Sequence, residues 1–362
     1  MIIGGEYMQS IWYDVENDQV HVVDQTRLPH EFQVLTLTNM EAACHAIESM
    51  QVRGAPLIGV TAAYGVYLAL REDVQSLEHA CTALAATRPT AVNLQWALNR
   101  CRDALEPVAS ESRVLQALEL AQLMEKEDIA ICEAIGDHGA DLVESLWQEK
   151  RGSQDHLNIL THCNAGALAT VDWGTALSVV YKSAERDIPL HVWVDETRPR
   201  NQGAALTCWE LGQAGIPHSL IVDNAGGHLM QAGQVDLCVV GSDRTARNGD
   251  VCNKIGTYLK ALAAFDNQIP FYVALPLSSI DFALEAGLNQ IPIEERAPGE
   301  VTDMPGRTAD GLIASVRVAP EGVQVSNPGF DVTPARLVTS LVTERGVVAA
   351  NSVAIATLLD PG

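Results

Sequence analysis

Residues 1–150 begin with short segments that alternate apolar and polar side chains, and longer segments with a helical period follow. The segments 19–23 and 32–38 alternate in the way that predicts strands of a small antiparallel sheet. Apolar residues then recur three and four positions apart, which predicts a bundle of helices beside that sheet. The predicted helices are 39–50, 57–70, 77–86, 94–105 and 113–149.

The pattern of apolar and polar residues changes after the polar stretch 148–155, where short apolar runs begin to alternate with helical patterns. This alternation predicts a parallel sheet covered by helices. The predicted strands are 156–160, 190–194, 218–222, 235–240 and 270–274. The predicted helices between them are 175–186, 203–214, 226–231 and 254–264.

These patterns predict an α/β protein of two domains. Residues 1–150 are expected to form an N-terminal domain with a small β-sheet and a helix bundle, and residues 151–362 a Rossmann-like domain with a parallel sheet. The stretch 338–350 has the composition of ordinary helix and strand, and 360–362 is expected to be a disordered tail.

The charge of the chain restricts its partners. With 362 residues, 47% of them hydrophobic, the chain is long enough to bury a core in each domain. The net charge of -23 repels polyanions, so we expect no nucleic-acid partner and no anionic membrane surface. A phosphorylated small molecule would need a local group of Arg, Lys and backbone N–H donors.

The cysteines and the apolar runs indicate the compartment. Eight cysteines occur without any C-x-x-C pair, which is typical of free thiols. The first residues show no basic leader, and no apolar run is long enough to cross a bilayer. We therefore expect a cytoplasmic protein whose thiols stay reduced.

Reactive side chains follow several of the predicted strands. Cys163 lies in the segment THCNAGALAT (161–170), whose small residues allow close approach to the backbone, and Asp243 closes the run 235–243. Asp195 also follows a strand. Because ligands of parallel sheets bind at the carboxyl ends of the strands, we expect these groups to meet at one edge.

Each of these groups has a plainer interpretation beside the catalytic one. An arbitrary cysteine is most often a small buried apolar residue, although a thiolate near helix N-terminal amides would be reactive. Asp243 could cap a helix or pair with Arg244, or it could be a general acid whose pKa an apolar pocket raises.

Several polar residues are candidates for binding an anion. Arg53 precedes Gly54, Ala55 and a helical run, so a guanidinium and free peptide N–H groups could hold a phosphate, although a solvated surface arginine is the plainer interpretation. Further donors at places suited to phosphate are Gln202 and the pair Asn253 and Lys254, which open the predicted helix 254–264, and, more weakly, the loop residue Arg88.

Neither a metal nor a redox cofactor is indicated. No G-x-G-x-x-G opens a helix after the first strand of the second domain, so a dinucleotide is not expected. His162 has no second and third ligand at metal spacing in the sequence, so no zinc site is expected either.

Five motifs in order, RGAPLIG (53–59), THCNAGALAT (161–170), ETRPRNQGA (196–204), GSDRTARNGDVCNKIGTY (241–258) and NPGFDVTP (327–334), resemble the methylthioribose-1-phosphate isomerases of methionine salvage. The resemblance implies a homodimeric aldose-ketose isomerase acting on a sugar phosphate. It implies Asp243 as the acid and Cys163 as the base or transition-state stabiliser. The residues that match substrate contacts of the family are Arg53, Gly54, Ala55, Arg88, Gln202, Asn253 and Lys254.

The resemblance leaves three questions open. The wider family includes ribose-1,5-bisphosphate isomerases and noncatalytic regulatory subunits of a translation-initiation exchange factor, and the presence of both Cys163 and Asp243 favours an enzyme. Hydrogen could move from C2 to C1 by proton transfer or as a hydride. No role follows for Glu294, Glu295, Arg296 or Asp331.

Overall fold

The computed structural model describes residues 1–3, 5–88 and 92–359. The segment 360–362, expected from the sequence to be disordered, lies outside the described residues, as do the three residues that follow Arg88.

The described residues of the N-terminal part form two small antiparallel sheets and five helices. The strands are β1 (Ile2–Ile3), β2 (Glu6–Tyr7), β3 (Ile11–Asp14), β4 (Gln19–Val23) and β5 (Val34–Leu37), with β1 paired to β2 and the order β3-β4-β5 in the second sheet. The helices are α1 (Met40–Glu48), α2 (Ala55–Glu72), α3 (Leu77–Thr87), α4 (Val92–Leu105) and α5 (Ser110–Lys150). The small sheet and all five helices predicted from the sequence are confirmed.

The sequence explains why these helices form and where they pack. Asn39 caps α1 by accepting a hydrogen bond from the backbone N–H of Ala42 at 2.9 Å. Helix α2 is apolar nearly all round because other elements surround it. Helix α5 has 41 residues and reaches two cores, since Met124 lies in the first and Ile135 packs beneath the large sheet.

The second part of the chain alternates strands and helices. Its strands are β6 (Leu157–Thr161), β7 (Leu190–Asp195), β8 (His218–Ile221), β9 (Leu237–Val240), β10 (Arg244–Ala246), β11 (Val251–Lys254), β12 (Phe271–Ala274), β13 (Ile280–Asp281), β14 (Asp303–Arg307), β15 (Ile313–Arg317), β16 (Phe330–Thr333), β17 (Ser340–Thr343) and β18 (Gly346–Val348). Its helices are α6 (Ala176–Glu185), α7 (Cys208–Gln213), α8 (Ala225–Gln231), α9 (Thr257–Asp266), α10 (Gly299–Thr302) and α11 (Ser352–Ala356), with a π-helical turn at Gly203–Thr207 before α7.

The large sheet has the strand order β18-β17-β12-β9-β6-β7-β8. All neighbours pair in parallel except β17 and β18, so the sheet is mixed at one edge rather than wholly parallel as expected. The predicted α/β class and the five predicted strands are confirmed. Because β6, β7 and β9 are parallel neighbours, the loops after Thr161, Asp195 and Val240 leave the sheet at the same edge.

A second sheet of four strands, in the order β13-β10-β11-β16, was not predicted. It corrects one expectation, because Asn253 and Lys254 end strand β11, paired with Asp331 and Phe330, and do not open a helix. Helix α9 begins only at Thr257, after Gly256 turns the chain with a φ of 103°. The stretch 338–350 is also strand and turn, without the α-helix expected there.

Candidate active site

A cavity of about 70 Å³ lies where the loops after β6 and β9 meet the N-terminus of α2. All nine residues that the sequence singled out as catalytic or substrate-binding line this cavity. They are Arg53, Gly54, Ala55, Arg88, Cys163, Gln202, Asp243, Asn253 and Lys254.

Cys163 sits on a strained turn directly after β6. Its φ of 67° lies in the left-handed region, which a residue with a side chain adopts only when its surroundings enforce it. The backbone N–H of Cys163 donates to Thr197 Oγ1 at 2.8 Å, and its carbonyl accepts from the Thr207 hydroxyl at 2.7 Å. These two bonds hold the thiol at the cavity.

The surroundings of Cys163 do not favour a free thiolate in the way the sequence suggested. Desolvation raises the pKa of the thiol above its usual value, and the nearby Asp243 raises it further. The charges of Arg53 and Lys254 and the N–H of Asn164 lower it, but they do not reverse the shift. The sulfur therefore retains its proton more strongly than an ordinary thiol does.

Asp243 follows β9 and opens onto the same cavity. Its backbone N–H donates to the carbonyl of Cys252 at 3.0 Å, while no described residue donates a hydrogen bond to its carboxyl group. Desolvation raises the pKa of Asp243, and the charges of Lys254, Arg88 and Arg53 only oppose this. The plainer interpretation as an ion pair is wrong, because Arg244 pairs with Asp281 instead.

The start of α2 contributes both charge and backbone donors. Arg53 is buried, and its guanidinium donates to the side-chain and main-chain oxygens of Asn164. Gly54 has a φ of 95°, and a Cβ there would lie 2.3 Å from the carbonyl oxygen of Ala169, so only glycine fits. Ala55 is the first residue of the helix, whose N-terminal dipole and free N–H groups attract an anion.

Arg88 is held by a chain of ion pairs that the sequence did not explain. Glu294 lies 3.5 Å from the Arg88 guanidinium and 2.8 Å from that of Arg296. Arg296 in turn pairs with Glu300 at 2.7 Å, and Glu300 binds Arg200 at 2.9 Å. The segment after β13 thereby orients one of the cations at the cavity.

Strand β16 and the turn before it order the other side of the site. Asp331 accepts the backbone N–H groups of Gly256 at 2.7 Å and Tyr258 at 3.1 Å, which fixes the start of α9. Lys254 Nζ donates to the carbonyl of Gly329 at 2.9 Å and lies 4.6 Å from the ring centroid of Phe330. In the preceding loop, Glu295 accepts the backbone N–H of Asn327.

Three of the binding candidates carry polar groups suited to a ligand. Desolvation lowers the pKa of Lys254, although Cys163 and Asp243 counteract this. Gln202 is buried, and its Oε1 has no hydrogen-bond partner among the described residues. Asn253 Nδ2 donates to Thr257 Oγ1 at 3.0 Å. An unsatisfied buried amide at a cavity indicates a place for a polar ligand atom.

The structure brings two carboxylates to His162 that its sequence spacing did not reveal. Ligand atoms of His162, Asp195 and Asp223 lie within 4.8 Å of one another. However, Lys260 Nζ lies 3.0 Å from Asp195 Oδ2, and His162 uses Nδ1 toward Asp195 and Nε2 toward the carbonyl of Ile255. The ammonium group of Lys260 already supplies the positive charge that a metal would bring.

Glu210, which lines a neighbouring cavity and contacts the loop 163–170, is a buried residue that sequence reasoning missed. It lies in α7, and its buried carboxylate accepts hydrogen bonds from the backbone N–H groups of Ala167 and Leu168 and from the side chains of Asn164 and Tyr181. The only signal in the sequence was an acidic residue within the apolar helical pattern 203–214, and that signal is weak.

Among the residues that the structure describes, no helix is both long and apolar enough to cross a membrane.

Comparison with known proteins gives one coherent result. Residues 51–350 match the model of the Initiation factor 2 subunit family. A methylthioribose-1-phosphate isomerase from Methylocella silvestris is 56% identical over 358 residues, which cover 98% of each chain. One from Methylobacterium nodulans is 57% identical over 352 residues, covering 97% of this chain and 96% of that one.

Two solved structures are similar over nearly the whole chain at 39% identity. The 5-methylthioribose 1-phosphate isomerase from Pyrococcus horikoshii OT3 has a TM-score of 0.83 and covers 98% of this chain and 96% of that one. A structure titled translation initiation factor eIF-2B, subunit delta, from A. fulgidus has a TM-score of 0.80 and covers 97% and 100%.

Proposed function

We propose an isomerase activity for this chain, which belongs to the Initiation factor 2 subunit family. The chain converts 5-methylthioribose 1-phosphate into 5-methylthioribulose 1-phosphate, a reaction of methionine salvage. The observation that carries this proposal is a single cavity lined by a carboxyl group and a thiol of raised pKa together with three cationic side chains. Relatives about 56% identical over nearly the full length bear this enzyme's name.

The substrate phosphate binds at the start of α2. The N-terminus of an 18-residue helix meets the guanidinium groups of Arg53 and Arg88 there, so backbone donors and charge converge on one anion. Lys254, Gln202 and Asn253 donate to the phosphate or the sugar hydroxyls. This local positive field is needed because the chain as a whole carries a charge of -23.

Ring opening is the step that needs an acid. The anomeric oxygen of the substrate is esterified, so the sugar cannot open to a free aldehyde, and the C1–O4 bond must break with protonation of O4. Asp243 donates this proton because its raised pKa keeps the carboxyl protonated nearer to neutral pH than an ordinary aspartate.

The remaining step moves hydrogen from C2 to C1. Over the whole reaction one hydrogen passes from C2 to C1. The C2 hydroxyl loses its proton to become the carbonyl, and O4 gains a proton to become a hydroxyl. Because the proton lost and the proton gained balance, no oxidant is consumed. Cys163 either removes the C2 proton as a thiolate or stabilises the cationic transition state during a hydride shift. Its raised pKa favours the hydride shift, since the thiol is then a weak source of thiolate.

Phosphorus and proton NMR of the purified chain with 5-methylthioribose 1-phosphate test this activity directly. We expect conversion to the ketose phosphate, and Cys163→Ser is expected to lower kcat by about 100-fold or more, since a positioned catalytic group contributes about that much. Equal rates for the wild type and this variant would remove the role of Cys163. Ribose 1,5-bisphosphate serves as the competing substrate.

A noncatalytic role in translation initiation is the second candidate. The observation in its favour is the similarity to the A. fulgidus structure titled as an initiation factor subunit, at the same 39% identity as the isomerase structure. Absence of turnover with either sugar phosphate would make it the leading candidate.

The assembly, location and domain boundary are also proposals. A homodimer is supported by exposed large apolar side chains on the edge strand β8 and on α9, among them Leu220 and Leu259, and light scattering of the purified chain measures this state. The eight cysteines are free among the described residues, which suits the cytoplasm. A boundary at residue 150 would separate two cores that α5 joins.

A further inference from the structure

Glu210 is a buried residue whose carboxyl group accepts four hydrogen bonds. Asn164 Nδ2 donates at 2.8 Å, the N–H of Ala167 at 2.8 Å, the N–H of Leu168 at 3.1 Å and the Tyr181 hydroxyl at 3.0 Å. Within the described ranges, no Lys or Arg forms an ion pair with Glu210 within 4.0 Å. Three of its four donors belong to the loop 163–170 that carries Cys163.

The chemistry of these donors determines the orientation of the Asn164 amide. Glu210 Oε1 already accepts the backbone N–H of Leu168, and the Arg53 guanidinium on the other side of the amide can only donate, so the NH2 group of Asn164 points toward Glu210. The amide oxygen is then left to accept from Arg53 Nη1, at 2.7 Å. With the amide reversed, an N–H group would face the guanidinium and both bonds would be lost.

Arg53 connects the Asn164 amide with the two reacting groups, Cys163 and Asp243. It lines the cavity with Cys163 and Asp243, and its positive charge lowers the pKa of both. Its guanidinium has Asn164 as hydrogen-bond partner through both Nη atoms. A change at Asn164 therefore moves the charge that faces the thiol.

We propose that Glu210 is a positioning residue: by holding the Asn164 amide in one orientation, it places the Arg53 guanidinium against Cys163 and Asp243. The proposal rests on the isomerase function proposed above. Thr207, one turn earlier, supports the same loop by accepting from Asn164 Nδ2 at 3.2 Å and donating to the carbonyl of Cys163.

The sequence of the loop is adapted to this carboxylate. A Cβ at Gly166 would lie 2.3 Å from Glu210 Oε2 and 2.6 Å from Leu177 Cδ1. The glycine thus leaves room for Glu210 to reach the N–H groups of Ala167 and Leu168 beyond it. The small residues of the segment serve the approach of a side chain from α7 as well as the approach of a substrate.

The variant Glu210→Gln tests the proposal because the NH2 group of its carboxamide would face hydrogen-bond donors, to which it cannot bond as an acceptor. We expect kcat/KM to fall about 100-fold, the cost of a small misplacement in a catalytic site. We also expect alkylation of Cys163 by iodoacetamide, followed by mass spectrometry of its peptide, to slow about tenfold at a given pH, because a displaced Arg53 no longer favours the thiolate.

A matched control separates positioning from stability. Asp236 is also a buried carboxylate with several donors, namely Lys150, Gln154 and the N–H of Asn158, but it precedes β9 at the opposite end of the strands. Asp236→Asn is expected to lower stability while leaving Cys163 alkylation and kcat/KM within about threefold of wild type.

A second variant covers the case in which Glu210→Gln does not fold. Asn164→Ala removes the side-chain amide that links Glu210 to Arg53 and leaves Glu210 with three of its donors. We therefore expect this variant to fold and its Cys163 to be alkylated more slowly by a similar factor. Wild-type alkylation and wild-type kcat/KM in a folded Glu210→Gln or Asn164→Ala protein would overturn the proposal. Alkylation needs no turnover, so it tests this proposal even if the isomerase function itself fails.

Discussion

The carboxyl groups of Glu210 and Asp243 lie in two regions that differ in exposure and in hydrogen bonding. Desolvation raises the pKa of both. Glu210 is buried and accepts four hydrogen bonds, whereas Asp243 is partly exposed to the cavity and has no donor to its carboxyl among the described residues. The same functional group is structural in one region and available for chemistry in the other.

Cavity size does not reveal this difference. Glu210 borders a mostly apolar cavity of about 500 Å³ with Tyr181, Trp173 and Trp209, while Asp243 borders the cavity of about 70 Å³. The smaller space contains the unsatisfied amide of Gln202, the thiol of Cys163 and the cations. Unsatisfied polar groups are therefore a better guide to the reactive region here than volume.

The largest expected effect comes from Asp243→Asn. We expect kcat to fall by about 100-fold to 10,000-fold, because an amide cannot supply the proton for C1–O4 cleavage. The free energy of unfolding should change by less than about 1 kcal/mol, since no hydrogen bond within the chain is lost. Glu210→Gln should instead cost about 1–3 kcal/mol by leaving buried donors unpaired.

Phosphorus NMR of turnover and urea unfolding of both variants measure this contrast. The comparison fails if Asp243→Asn unfolds at the lower urea concentration, because Asp243 would then be the structural carboxylate.

A smaller effect is expected from Gly54→Ala, which alters only the region of Asp243. The new Cβ would lie 2.3 Å from the Ala169 oxygen at a φ of 95°, so the start of α2 must shift at a cost of about 1–3 kcal/mol. We expect KM for the sugar phosphate to rise about tenfold as the phosphate site moves. Steady-state kinetics and thermal unfolding measure both.

Gly152→Ala is the matched control, because a Cβ there would meet no atom within 4 Å. An unchanged KM in Gly54→Ala would argue against a phosphate at the helix start.

The smallest expected effect is a pH dependence. If protonated Asp243 is the acid, kcat/KM should decline as the pH rises through its raised pKa, and Glu210→Gln should leave the position of this decline within about one pH unit. Rate profiles from about pH 5 to about pH 9 measure it. If the decline disappears in Glu210→Gln, it is caused by Glu210 and not by Asp243.

Both carboxyl groups make the stability of the fold change with pH in the same direction. A folded-state pKa above the unfolded value means stability that is fully present below the unfolded pKa and is lost as the pH rises through the folded pKa. Urea unfolding at several pH values should therefore show a shallower loss of stability toward alkaline pH in Asp243→Asn than in the wild type.

The sequence predicted most of the fold because the strongest periods belong to buried elements. The helical period gave α1 to α5, and the apolar runs gave β6, β7, β8, β9 and β12. The parallel arrangement of these strands then explains why Cys163 and Asp243, far apart in the chain, line one cavity. In the second sheet, the pair Asn253 and Lys254 resembles the start of the following helix, and only the pairing of Val251–Lys254 with β16 makes it the end of a strand.

The partners of the site residues could not be predicted in the same way. Glu210 looks like any acidic residue in a helical pattern, and its role depends on donors from a loop about 45 residues earlier in the chain. The same holds for Asp331 at the start of α9 and for Glu294 beside Arg88. Such contacts depend on tertiary packing, which no local period encodes.

The π-helical turn Gly203–Thr207 connects Gln202, which lines the cavity with Asp243, to Glu210, which lies behind the loop 163–170. Its wide turn, closed by the N–H of Cys208 bonding to the carbonyl of Gly203, contains one residue more than an α-helical turn would. Deleting a single residue there would rotate α7 by about 100° relative to Gln202. The extra residue of this turn therefore sets the orientation of Glu210 relative to Gln202, and a change in length at this point would not keep both side chains in place.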